Sequence, residues 1–126
     1  MLGGEITTDC KIHPSGRWIT FAVMVGGAQT LWMVLDTGSP VSALSPRTGA
    51  ILETRGLLNP RRDSNLYILR DLAISGQSIP DLELRILPRL DRLQVVGLLG
   101  LDFLRVFDDI HFNVPSLRLR LVPSPR

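Results

Sequence analysis

The run Val34-Leu35-Asp36-Thr37-Gly38-Ser39 sets a carboxylic acid at the end of a segment that is apolar on both alternating faces. An acid in such a place is costly unless it is hydrogen-bonded or has a task. Thr37 can pin the loop through its hydroxyl, and Gly38 lets backbone or ligand come close. A carboxylate held this way can polarise a water molecule. Cleaving a peptide bond by that route takes a second carboxyl group nearby. Two such groups share one proton, so one draws a proton from water while the other donates to the carbonyl oxygen. No second Asp-Thr/Ser-Gly occurs, and Asp9, Asp63, Asp71, Asp81, Asp91, Asp102, Asp108 and Asp109 all lie in turn-like or helix-like surroundings. The partner carboxylate must then come from another chain, with a two-fold axis bringing Asp36 from each copy to one site. The plain alternative is a turn that follows a strand, because a three-residue match arises easily by chance.

Other chemistries find less support. His13 and His111 are far apart and Cys10 is the only cysteine, so no ligand cluster stands at metal spacing and no intrachain disulfide can form. Neither a metal nor a cofactor is expected. No Gly-x-Ser-x-Gly elbow appears. Gly97-x-x-Gly100 lacks the Lys-Ser/Thr that a phosphate loop needs. Lys11 is the only lysine, and the arginines are scattered, with Arg61-Arg62 and Arg118-x-Arg120 as local clusters in mixed sequence. A nucleic-acid binder concentrates its cations on one stripe, so no nucleic-acid partner is expected. Arg61-Arg62 reads as a solvated pair.

The elements that must position Asp36 follow an all-β rhythm of short apolar runs cut by Gly, Pro, Asn, Asp and Ser. Trp18 to Val25 reads as a strand, Gly26-Gly27 as a tight turn, and Thr30 to Leu35 as an inner returning strand. Val41 to Leu44 forms a short strand that Ser45-Pro46 breaks. From Thr48 to Asn65 turn residues dominate and the pattern selects no element. Leu66 to Ile74 and Ile79 to Leu87 read as strands around the turn Ser75-Gly76-Gln77, the second with Leu82, Leu84 and Ile86 on one face and Glu83 and Arg85 on the other. Leu93 to Leu99 is mostly apolar. Leu101, Leu104 and Phe107 recur at three-residue steps, which predicts one short helix with Asp102 in its first turn. Ile110 to Phe112 and Leu117 to Val122 flank a turn at Asn113 to Ser116. With 126 residues and 44% hydrophobic content, one domain spanning 1–126 is expected, its core over about 18–122.

Asp36-Thr37-Gly38-Ser39 together with Leu98-Leu99-Gly100, some sixty residues downstream and just before the helix, resembles the retropepsin family of single-domain aspartic proteases. Gly100-Leu101-Asp102-Phe103-Leu104 looks closer to the cellular and bacterial branch than to the viral one. The resemblance covers order and spacing from about Trp18 to Val122. It implies a closed β barrel per subunit, a homodimer and cleavage of extended peptides beneath two flaps drawn from the Gly56–Leu66 region. Asp36, Thr37 and Gly38 would then be catalytic, with Ser39, Leu57, Leu58, Leu98, Leu99 and Gly100 beside the substrate. Leu117 to Leu121 would match the terminal strands that often form the dimer sheet in this family, or an ordinary barrel strand.

Two departures stand out. Viral members place acidic residues soon after the catalytic triplet, whereas Pro40 and Val41 follow Ser39 here. The expected flap carries Asn59-Pro60-Arg61-Arg62 in place of a Gly-rich tip. They keep a second reading open, a peptide-binding or dimerisation module on the same fold with little or no proteolysis. No signal peptide is apparent, and Gly26-Gly27-Ala28-Gln29-Thr30 interrupts the one apolar stretch long enough to suggest a membrane span. The expectation is a cytoplasmic protein or a soluble domain of a membrane-anchored one, with any anchor outside this sequence.

Overall fold

The structure, a computed structural model, describes residues 4–124. In chain order its elements are β1 (Ile6–Ile12), β2 (Ile19–Val25), β3 (Gln29–Leu35), β4 (Ser42–Leu44), α1 (Pro46–Thr54), β5 (Leu58–Pro60), β6 (Tyr67–Leu69), β7 (Leu72–Ile74), β8 (Gln77–Ile79), β9 (Leu82–Ile86), α2 (Arg89–Arg92), β10 (Gly97–Leu99), α3 (Leu101–Leu104), β11 (Phe107–Asn113) and β12 (Arg118–Pro123). Strand makes up 47% and helix 14%, so the chain is mostly β as expected.

β2 and β3 form the predicted hairpin, in register from Thr20 opposite Val34 to Val25 opposite Gln29. Gly26 and Gly27 turn it at φ +63° and +71°, angles that a side chain would resist. The apolar stretch that resembled a membrane span is this hairpin. No helix among the described residues is long and apolar enough to cross a membrane.

The sheet follows the path β11-β12-β1-β2-β3-β10-β4-β9-β6-β5, with β7 and β8 branching from β2. Among the described residues no ladder joins β5 to β11, so the closed barrel expected from the sequence is not closed by hydrogen bonds. Two strands divide their pairing. Ile6 to Asp9 of β1 pair with β12, while Cys10 to Ile12 pair with β2. β2 in turn gives Met24 and Val25 to β7. Strands that switch partners make corners, and the sheet folds over its own inner face. That face carries Ile6, Phe21, Val23, Val25, Met33, Leu44, Leu69, Ile74, Leu84, Leu119 and Leu121, all within 3% exposure. β1 was not foreseen, yet its Ile6 and Cys10 belong to this core.

Among the described residues three short helices are present where one was expected. The expected one is α3. The largest, α1, occupies part of the segment that the pattern left open. Ser45-Pro46, read as a strand break, is its start: the Ser45 hydroxyl accepts the Thr48 N–H at 3.2 Å, and Pro46 fills the first helical position. Gly56 stops it at φ +74°. Leu52 of α1 is fully buried, and Gly49 lets the helix sit on Ile86, where a Cβ would approach the Ile86 Cδ1 to 2.7 Å. The expected Leu66–Ile74 strand is two strands, because Asp71 at φ +59° turns the chain between β6 and β7.

Candidate active site

Asp36 is placed by β3 and β10, which run parallel with Val34 opposite Leu98 and Leu35 opposite Leu99. The ladder continues one step beyond β3, where the Asp36 N–H donates to the Leu99 carbonyl at 3.0 Å. The backbone of residue 36 is therefore fixed by a buried neighbour strand, while its side chain emerges half-buried at the sheet end. One carboxylate oxygen, Oδ1, accepts the Gly38 N–H at 3.0 Å, and the Ser39 N–H donates to the Asp36 carbonyl at 3.3 Å. Both bonds close the loop around the acid. Thr37 and Gly38 are exposed at the loop tip.

A second set of bonds anchors the far side of this loop. The Leu101 N–H donates to the Ser39 carbonyl at 2.8 Å and the Asp102 N–H to the Pro40 carbonyl at 3.3 Å. The Ser39 hydroxyl donates to the Val41 carbonyl at 2.7 Å. Gly100 permits this approach, because a Cβ there would stand 2.5 Å from the Ser39 oxygen and 2.7 Å from the Val41 oxygen. Its backbone is extended (φ −98°, ψ −165°), so the demand is for space and not for an unusual dihedral. Gly97 is pressed in the same way against the Ala43 carbonyl, at 2.7 Å from an ideal Cβ, where β10 passes β4.

One polar cluster under the loop was not foreseen from the sequence. The Ser42 hydroxyl donates to Asp102 Oδ1 at 2.7 Å, and the Ser42 N–H donates to Oδ2 at 3.0 Å. Oδ1 also accepts the Phe103 N–H at 2.8 Å, and the Ser42 hydroxyl accepts the buried Gly100 N–H at 3.0 Å. Asp102 thus clamps β4, the end of β10 and the start of α3 together. Its place in the first turn of the helix was legible, but its partner sixty residues earlier was not.

Asp36 lines a recess of about 170 Å³ with Trp18, Val34, Arg89, Leu90, Leu93, Val95 and Leu98. Of the residues expected beside a substrate, the recess includes Leu98. Ser39 and Gly100 build the loop, and Leu99 lies in the core at 2% exposure. Leu57 and Leu58 do not reach the recess. Leu58 is a core residue at 1% exposure, and Leu57 packs over the β2–β3 turn, where a Cβ on Gly26 would meet its Cδ1 at 2.9 Å. Leu58 begins a hairpin, β5 with β6, whose other side pairs β6 with β9. Arg61 at its end is ion-paired with Glu83 of β9 and is not simply solvated. Trp18, Arg89 and Leu93 were missed as wall residues because strand and helix patterns do not tell which loops meet at a sheet end.

The chain matches no family model and no curated protein sequence. Solved structures do resemble it. A retropepsin-like aspartic protease from Rickettsia conorii superposes with a TM-score of 0.62 at 16% identity, covering 100% of this chain and 96% of that one. A retroviral protease-like domain of Ddi1 from Leishmania major gives 0.56 at 13% identity, covering 84% of this chain and 96% of the other. At these identities the likeness is one of fold, and the fold is retropepsin-like.

Proposed function

We propose that this chain, folded like a retropepsin, is an aspartic endopeptidase whose catalytic pair is Asp36 from each of two identical subunits. The observation that carries the reading is the held state of Asp36. The acid is aligned by the Leu99 strand next to it, oriented by the Gly38 N–H, and presented at a loop whose tip is exposed.

 In one subunit a single such carboxylate is present, and the two-fold arrangement supplies the other. One carboxyl of the pair holds the shared proton while the other takes a proton from a water lying between them. The water attacks the peptide carbonyl, the protonated carboxyl donates to its oxygen, and a tetrahedral diol forms. Its collapse passes a proton to the leaving amine. No acyl-enzyme is formed, so neither Cys10 nor any serine acts as nucleophile.

Thr37 and Gly38 keep the two loops in contact across the axis, Ser39 holds the loop to Val41, and Leu98 forms part of a substrate wall. The β5–β6 hairpin is the flap, and its contact with substrate comes from the exposed residues at its end, since Leu58 belongs to the core. The test is incubation of the protein with mixed peptides from pH 4 to 8, beside an Asp36→Asn variant. Cleavage by the parent that the variant lacks supports the reading. Equal cleavage by both sinks it, and peptide binding without cleavage at any pH supports the alternative of a binding module on this fold.

A further inference from the structure

We propose that Arg89 makes the recess beside Asp36 selective for an acidic side chain on an apolar stem, with glutamate the best fit. The inference rests on the peptidase reading for its placement of the substrate and goes beyond it in naming which residue flanks the cut. The walls of the recess are Trp18, Val34, Leu90, Leu93, Val95 and Leu98, and its two ionisable groups are Asp36 and Arg89. The apolar walls suit methylene groups, and a lone guanidinium on such a wall suits a carboxylate.

Arg89 is exposed at the start of α2 and, among the described residues, has no acidic partner within 4.0 Å, a state it shares with most of the chain's arginines; what sets it apart is its place on the wall of the recess. Asp36 lines the same recess and is not ion-paired with Arg89. A leucine entering the recess would cover the guanidinium without replacing its water. A lysine would meet a like charge. Glutamate lays two methylenes along the walls and sets its carboxylate against Arg89. Repulsion from the catalytic pair is limited, since the shared proton leaves that pair one negative charge against two Arg89 side chains, one from each copy.

The test uses the full chain as parent, Arg89→Gln and Arg89→Glu, each also carrying Asp36→Asn so that binding is read without turnover. Fluorescent peptides that differ only in Glu, Gln, Leu or Lys at one position are titrated by anisotropy, and the same peptides are given to the Asp36 forms for cleavage. The parent is expected to bind the best Glu peptide about fivefold more tightly than its Gln twin, the worth of one partly screened ion pair. Arg89→Gln abolishes the difference, Arg89→Glu turns the preference to Lys, and added salt shrinks the parent's preference. Equal binding of Glu and Gln peptides at every position, a Glu preference that survives Arg89→Gln, or no binding of any peptide overturns the proposal. A Glu preference that depends on Arg89, in a protein that cleaves nothing, sinks the peptidase reading and leaves the selectivity standing.

Discussion

Replacing Gly100 by alanine adds one methyl group at the point where the chain after β10 crosses the Asp36 loop. The new Cβ would lie 2.5 Å from the Ser39 carbonyl oxygen, 2.7 Å from the Val41 oxygen and 2.9 Å from the Val41 carbonyl carbon. All three are backbone atoms, so no side chain can rotate away, and the loop must move by several tenths of an ångström. Overpacking of this kind costs about 1–3 kcal/mol. Moving the loop also weakens the bonds from Leu101 to Ser39 and from Asp102 to Pro40, at about 1 kcal/mol for each bond lost. The unfolded chain gives back about 0.4–1 kcal/mol through the lower entropy of alanine. No dihedral penalty enters, because Gly100 is extended. The net expectation is a loss of about 2–3 kcal/mol, or roughly 10 °C in Tm. Cleavage should fall further than stability, by about a hundredfold at temperatures where the variant is folded, because a small misplacement of Asp36 is costly to the reaction. Thermal and urea melts followed by circular dichroism, with peptide cleavage at a low temperature, read both effects. A variant that melts within about 2 °C of the parent and keeps its activity would refute the close approach and its link to the loop.

Ser42→Ala removes a hydroxyl that donates to Asp102 and accepts from the buried Gly100 N–H, and should cost about 2–3 kcal/mol in a urea melt. Asp102→Asn keeps the shape but turns an NH₂ group toward one of the donors at Ser42 or Phe103, so it should destabilise the fold by at least about 1 kcal/mol; a melt equal to the parent's would contradict the clamp. Cys10 is buried, and burial together with the nearby Asp9 carboxylate raises its thiol above the ordinary value of 9.0. Above that pH the unfolded chain releases a proton that the folded chain retains, so this group's contribution to stability falls as pH rises past about 9 toward the folded value. Melts of the parent and Cys10→Ala compared between pH 8 and 10 should show the parent losing stability more steeply, and parallel curves would count against it.

The residues that matter to the site were legible where chemistry and local pattern coincide. An apolar inner strand ending in Asp36 needs no tertiary knowledge to be noticed, and Gly26-Gly27 declared the turn of the hairpin behind it. β9 followed from alternation, since Leu82 and Leu84 are buried while Glu83 and Arg85 face water. Other elements depended on partners far along the chain. β1 is held by β12 and β2, and neither pairing leaves a local mark in Ile6 to Ile12 beyond a short alternation. α1 was hidden because Ser45-Pro46 can end a strand or begin a helix, and here the two readings are both true. Leu57-Leu58 looked like an apolar tip fit for a substrate. The hairpin is instead anchored through these residues, and the side chain that sequence offered for binding is spent on packing. The walls of the recess come from three separate segments, and only the folded chain shows that Arg89 joins Asp36 there.

Mixing the parent with Asp36→Asn at constant total concentration tests the shared catalytic pair most directly, provided the copies exchange freely before cleavage is measured. A site completed by two chains requires activity to follow the square of the parent fraction, so an equal mixture should retain roughly a quarter of the activity. A linear decline, with roughly half the activity left in the equal mixture, would mean that each chain carries a whole site of its own and would contradict the account.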